Sequence, residues 1–301
     1  MSPAVGYGSR FTWNPLVRII SFLSIVYSIT FIYDCVIMKY LYDLNLIQLY
    51  QVLLTFRNLI PLMAVLLTLL MLREGIRDGL RGYGLRSCKF RFLLLSGLTP
   101  FLIYLIGFAY ALILGFEVVN PLIPLYSAYS KSIPEGGETF LLILSLLSTL
   151  FVGSTLLCLL MLGQEVGWRG LLLEEAANIS KNILLNNVLV GIAWGLWYSP
   201  LIILYSTYYP EHPDVVGVLM MVISCIPLSV VFSYLKLRFG SLLAPAAASG
   251  VLNGLHNLMV YTVVVGDSLY SMPSGLLGMA STSTLAVVLH LLWRRSYQSP
   301  F

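Results

Sequence analysis

Between Thr139 and Leu162 the chain reads TFLLILSLLSTLFVGSTLLCLLML, and Gly163–Glu175 continues it as GQEVGWRGLLLEE. The first part carries no charge and is long enough to cross about 30 Å of hydrocarbon as an α-helix, so Glu165 and Arg169 lie inside the membrane or at its edge. Each charge costs roughly 3 kcal/mol at such a depth, and the acid-first i,i+4 order lets the two offset one another. An intramembrane charged pair is a candidate functional site. Its plainer alternative is an orienting salt bridge near a span end, with Arg169 snorkelling to the headgroups. Gln164 presents an amide beside the pair, and Gly163 with Gly167 leaves one face small enough for a neighbouring backbone to approach.

The rest of the chain has the same character. Of its 301 residues 58% are hydrophobic and 10% charged, with a mean hydropathy of +0.89. Soluble domains are about 45–50% apolar and about 25% charged. The composition therefore predicts an all-α, polytopic membrane protein, residues 1–301 forming a single membrane domain of about eight transmembrane helices. The net charge of +4 needs no nucleic acid, because the basic residues gather where a positive-inside loop belongs; the lipid bilayer is the expected partner. Cys35, Cys88, Cys158 and Cys225 stand singly, without CxxC spacing, and His212, His256 and His290 form no HExxH run. Neither a disulfide framework nor a metal site is expected, and no cofactor is implied.

Taken in order, a first span is expected over Ile19–Ile37 behind Arg10 and Arg18, then a polar connection at Lys39–Asn45. A second follows over Leu46–Leu72, interrupted by Arg57 and Asn58, which face protein or an interface. Arg73–Arg91 holds six of the seventeen basic residues and marks the cytosolic side. A third span, Phe92–Phe116, leads to an external loop at Glu117–Glu138 with Pro121, Pro124, Pro134 and Lys131. The fourth returns from Thr139 through the opening motif, and a polar linker at Asn178–Asn187 precedes a fifth at Val188–Tyr208. The external turn YPEHPD, a sixth span at Val215–Leu235, a seventh at Ser241–Val265 and an eighth at Gly275–Trp293, closed by Arg294 and Arg295, complete the set. Both termini are then cytosolic.

Three of these spans carry polar residues at one depth. Counting from the cytosolic ends at about 1.5 Å per residue puts Gln164, Tyr198 and Ser249 roughly 12–18 Å into the membrane. The fifth span reads GIAWGLWYSP, with Gly191 and Gly195 at GxxxG spacing and Pro200 after Tyr198. The seventh reads SLLAPAAASGVLNGLHN; Ser249, Asn253 and His256 fall on one face, and Ala246, Gly250 and Gly254 form a small-residue seam on another. Singly, each polar residue could be a core group bonded to a nearby carbonyl. Together, on helices joined through the Glu165–Arg169 motif, they predict a shared polar site.

Gln164–Gly170 resembles the EExxxRG signature of the CPBP family of intramembrane proteases, the group of Rce1-type CAAX prenyl endopeptidases and bacteriocin-immunity homologues. GLWYSP resembles that family's FxxxH segment, and SLLAPAAASGVLN its SxxAPxxxHxxxN segment. The likeness covers residues 82–257 in order and spacing. By resemblance, the first Glu and the second-segment His activate water for attack on a peptide bond, while the third-segment His and Asn hold the oxyanion. Here those positions carry Gln164, Tyr198, Ser249 and Asn253; Glu165, Arg169 and Asn253 keep the family's residue type, and Trp194 stands for the Phe of FxxxH.

The exchanges have direct chemical meaning. A carboxamide has no lone pair basic enough to take a proton near neutral pH, and a tyrosine hydroxyl, with an ordinary pKa near 10, is protonated there. Ser249 and Asn253 could each still donate a hydrogen bond to an oxyanion. His256 lies two turns from Ser249, about 10 Å along the axis, too far for direct proton transfer beside Gln164. The expected function is thus a degenerate homologue that binds a membrane protein, a peptide or a lipidated C-terminal tail without cutting it. The alternative is an active endopeptidase of altered mechanism with Glu165 as base, which requires a local irregularity at Gly163 or Gly167 to turn that carboxylate inward. A small-solute transporter would need interrupted helices in corresponding halves, and none is visible.

Overall fold

The computed structural model of the protein describes residues 13–123 and 137–298, with side chains through 292. Arg10, Pro124, Lys131 and Pro134, and the side chains of Arg294 and Arg295, lie outside the described residues. Among the described residues six helices are long and apolar enough to cross a membrane: α1 (Pro15–Asp43), α2 (Ile47–Met71), α3 (Phe90–Ile113), α4 (Glu138–Ile179), α5 (Ile183–Tyr205) and α6 (Val215–Phe239). They are followed by α7 (Leu243–Met259) and α8 (Leu276–Gln298). Among the described residues the only strands are β1 (Glu117–Val118) and β2 (Val263–Val264), an antiparallel pair that ties the loop after α3 to the one after α7. The protein is an all-α polytopic membrane protein.

The eight expected spans map onto these eight helices, but the last two differ in kind from the first six. Helix α7 has 17 residues, about 26 Å of rise, and its polar residues lower its hydropathy. It lies in the interior: Ala244–Leu252 are all buried, against α3 and the middle of α4. The first half of α4, Glu138–Val152, is strongly apolar and buries no residue at all. Lipid is as good a solvent as protein for such a surface, so its apolar side chains can stay outside while the small residues of α7 pack within.

Close approach depends on missing side chains. A Cβ on Gly191 or Gly195 would lie 2.5 Å from the Cα of Ile226 or Val222, so α5 and α6 meet along the GxxxG face. A Cβ on Gly163 would lie 2.5 Å from the carbonyl oxygen of Asn58, and one on Gly250 would lie 2.3 Å from that of Gly153. The small faces of α4 and α7 therefore seat on the α2 backbone and the α4 backbone respectively.

Element boundaries shift where side chains find partners. Helix α1 runs on through Lys39, which pairs with Asp43 one turn later, and the expected polar connection shrinks to a turn with Asn45 at φ 55°. The polar linker before α5 shrinks to three residues, because Asn182 caps the new helix by accepting from the N–H groups of Leu184 and Leu185. Asn187 is buried within α5, its Oδ1 accepting from the hydroxyls of Ser229 and Ser233 on α6 at 2.9 and 2.6 Å. An amide that looks like linker in one dimension is an interhelical hydrogen-bonding group in three.

Candidate functional site

The motif sits where α4 is least regular. Cys158–Glu165 is α-helical, and a π-helical turn occupies Val166–Leu172. Such turns widen the helix and re-aim the side chains around them. The irregularity required for Glu165 to face the polar cavity therefore exists, beginning at the next residue.

It does not turn Glu165 into a cavity. Glu165 Oε1 accepts from Arg169 Nη1 at 3.2 Å, and both side chains are wholly shut off from solvent. Arg169 does not snorkel; its guanidinium lies 4.1 Å from the Trp194 ring centroid and 5.0 Å from that of Phe232, so the cation is held against aromatic faces. Lys236 on α6 donates to the Arg169 carbonyl at 2.6 Å and pairs with Glu174. Glu165 Oε2 and Arg169 Nε and Nη2 have no partner among the described residues.

Gln164 points the other way and is held on three sides. Its Oε1 accepts from Trp194 Nε1 at 3.0 Å and from the Tyr198 hydroxyl at 3.5 Å, and its Nε2 donates to Asn58 Oδ1. Two donors on one side and an acceptor on the other suit a carboxamide, which has both kinds of group. Tyr198 occupies the break within α5, between Ile183–Trp197 and Ser199–Tyr205. Its ring meets Trp197 and Tyr208 edge-on, at 5.0 and 5.5 Å between centroids.

On α7, Asn253 Nδ2 donates back to the Ser249 carbonyl at 2.8 Å and lies 3.4 Å from Met161 Sδ. Trp194, Tyr198, Ser249, Asn253 and His256 line one cavity of about 70 Å³, room for a couple of waters. A second, of about 300 Å³, adjoins it through Tyr198, Tyr208, Asn253 and His256, and adds Arg57 and Asn58. Of the expected site residues, Tyr198, Ser249 and Asn253 share a cavity wall. Gln164 stands behind Trp194 and Tyr198 without lining it, and Glu165 and Arg169 form a separate sealed pair.

Sequence reasoning placed Arg57 against protein but did not foresee the buried pairings here. Arg57 donates from Nε to both oxygens of Asp34 at 2.9 Å and from Nη2 to Oδ2 at 2.7 Å, bonds the Trp197 carbonyl at 2.7 Å, and stacks 3.8 Å from the Trp197 ring. Arg18 reaches Glu175 at 3.0 Å and also pairs with Glu74, while Tyr83 donates to the same Glu175 oxygen at 3.0 Å. The signal for the first cluster was present: Asp34 and Arg57 are single opposite charges within two apolar spans, and such charges pair. His256 lines both cavities, its ring 5.9 Å from that of Tyr208 between centroids. Among the described residues no three His, Cys, Asp or Glu converge as metal ligands.

No curated protein and no solved structure matches the chain. Residues 139–255, the stretch that holds all three segments of the site, match the model of the family described as type II CAAX prenyl endopeptidase, Rce1-like, and are similar to it.

Proposed function

We propose that the protein is a catalytically degenerate intramembrane-endopeptidase homologue, one membrane domain with its family-like core at 82–257. It binds a membrane protein, peptide or lipidated tail in the polar cavity without cleaving it. One observation carries the reading: the position that should supply the base is Gln164, a carboxamide already engaged by Trp194, Tyr198 and Asn58. Attack by water needs a proton acceptor within hydrogen-bond reach, and losing it lowers rates by about 10² to 10⁴. Tyr198 in place of the family histidine brings a hydroxyl that is protonated near neutral pH. Ser249 and Asn253 retain donors, enough to hold a carbonyl oxygen but not to activate water. The positive-inside rule puts both termini in the cytosol.

The test is cleavage. The purified protein, incubated with prenylated CAAX-type peptides and other membrane peptides, should release product no faster than a Gln164→Ala control. Restoring Gln164→Glu, Tyr198→His and Ser249→His together should give measurable cleavage, and each alone should not. The second reading, Glu165 as base, has one observation in its favour: the unpartnered Oε2 beside a π-helical turn. Proteolysis by the unaltered protein that Glu165→Gln abolishes would replace the degenerate reading with that one.

A further inference from the structure

We propose that the cavity takes an uncharged, extended peptide segment, an internal stretch of a membrane protein and not a chain end bearing a free carboxylate. The inference rests on the non-cleaving role proposed above and names its ligand.

The walls of the two joined cavities are almost free of charge. Among their lining residues the one Lys, Arg, Asp or Glu is Arg57. Its guanidinium is already spanned by both oxygens of Asp34 and by the Trp197 carbonyl. Among the described residues lining the cavities, a carboxylate brought in from water would find no free counter-charge, and an ion in a low-dielectric cavity without one is strongly disfavoured. A lipid phosphate meets the same obstacle.

What the walls do offer is neutral hydrogen bonding along successive turns of α7. Asn253, His256 and Asn257 follow one another along the wall of the larger cavity. Asn253 and Asn257 are exposed. His256 interacts with the Met272 backbone, but its Nδ1 is shut off from solvent and has no partner among the described residues. Carboxamides and imidazole present both donors and acceptors, matching the alternating N–H and C=O groups of an extended backbone. In a bilayer those backbone groups must be satisfied by protein, since no water is at hand.

The larger cavity also reaches one end of the bundle. Thr207, Tyr208 and Asn257, which line the larger cavity, belong to the end of the bundle opposite Arg73–Arg91. The arginine-rich end is closed by the pairs of Arg18 with Glu74 and Glu175 and of Lys236 with Glu174.

The experiment uses the full-length protein in detergent micelles and an N-acetylated, C-amidated apolar peptide without charged residues, tagged with a neutral fluorophore. The probe is compared with the same peptide ending in a free carboxylate and with a farnesylated cysteine peptide ending likewise. Fluorescence anisotropy should show the amidated peptide binding at least tenfold more tightly than either acid. His256→Phe and Asn257→Leu should each weaken it at least threefold, and Gly266→Ala should not. Equal or tighter binding of an acid, no binding of the amidated peptide, or indifference to both substitutions would overturn the inference. Mass spectrometry of the recovered peptide separates the two proposals: cleaved product overturns the non-cleaving role, while the ratio of amidated to acid binding still decides the nature of the ligand.

Discussion

A carboxylate and a guanidinium sealed together, as Glu165 and Arg169 are, hold each other in place because neither can be left alone. Removing one member of a buried pair costs about 3–5 kcal/mol, most of it the penalty on the survivor. Gln164 is uncharged, and truncating it loses hydrogen bonds and leaves Trp194 Nε1 unmatched, about 1–3 kcal/mol. Arg169→Ala should therefore lower the thermal unfolding midpoint in detergent more than Gln164→Ala; equal midpoints would contradict the pairing. Asp34 and Arg57 make a better-formed pair, with three bonds between them. In a double-mutant cycle Asp34→Ala and Arg57→Ala should each destabilise strongly, and the double variant by clearly less than their sum. Additivity would mean that the two charges do not support one another.

Between elements, packing turns on the absence of atoms. The α5–α6 contact admits no side chain at Gly195, where a Cβ would meet Val222 Cα at 2.5 Å, whereas Gly266 has nothing within 4 Å of the same point. Gly195→Val should cut the yield of monodisperse protein on size-exclusion chromatography severalfold, and Gly266→Ala should leave it unchanged. The loops at the cavity end are joined differently, by His212 Nε2 and Asp267 Oδ2 at 2.8 Å and by Glu211 and Ser268. The Asp267 carboxylate raises the His212 pKa, with Asp214 and Glu211 adding to it, and His212 holds the Asp267 pKa below its ordinary value. Protonated His212 and ionised Asp267 coexist between those two values. The clasp should be present in that window, be lost as pH rises through the His212 pKa, and be lost again as pH falls through that of Asp267. Hydrogen-exchange protection of residues 265–274 should follow that profile and become flat in His212→Gln; a flat profile in the unaltered protein would show that the pair does not fasten the loops.

For the molecule as a whole, the positive-inside rule orients the bundle, since Arg73–Arg91 concentrates the basic residues at one end. Arg77 lies on a short helix, Ile76–Gly82, at that end and is exposed, and Gly266 is exposed at the other. Arg77→Cys and Gly266→Cys, each in a background lacking Cys35, Cys88, Cys158 and Cys225, should react with an impermeant thiol reagent from opposite faces of sealed vesicles. Reaction from one face would overturn the transmembrane arrangement.

Hydrophobicity and charge placement are properties of the linear chain, and from them the helical membrane class, the approximate spans and the i,i+4 pair at Glu165 and Arg169 could be read directly. The GxxxG face at Gly191 and Gly195 was legible for the same reason: spacing along a helix is already geometry. The direction in which each side chain points at the site was not. A π-helical turn at Val166–Leu172 alters the phase of α4 around Arg169 in a way no periodicity announces, and Gln164 lies behind the cavity wall because Trp194 and Tyr198 stand in front of it. Pairings between distant charges, Asp34 with Arg57 and Arg18 with Glu74 and Glu175, depend on which helices adjoin, and sequence separation carries no such information. His256 shares its cavity with Tyr208, which the loop after α5 brings to within 5.9 Å of it. The sequence by itself determined that this chain dissolves in a bilayer and which polar groups it carries there; only the tertiary structure decided which of them face one another, because in a medium without water each buried polar group is matched by whichever neighbour the packing brings within reach.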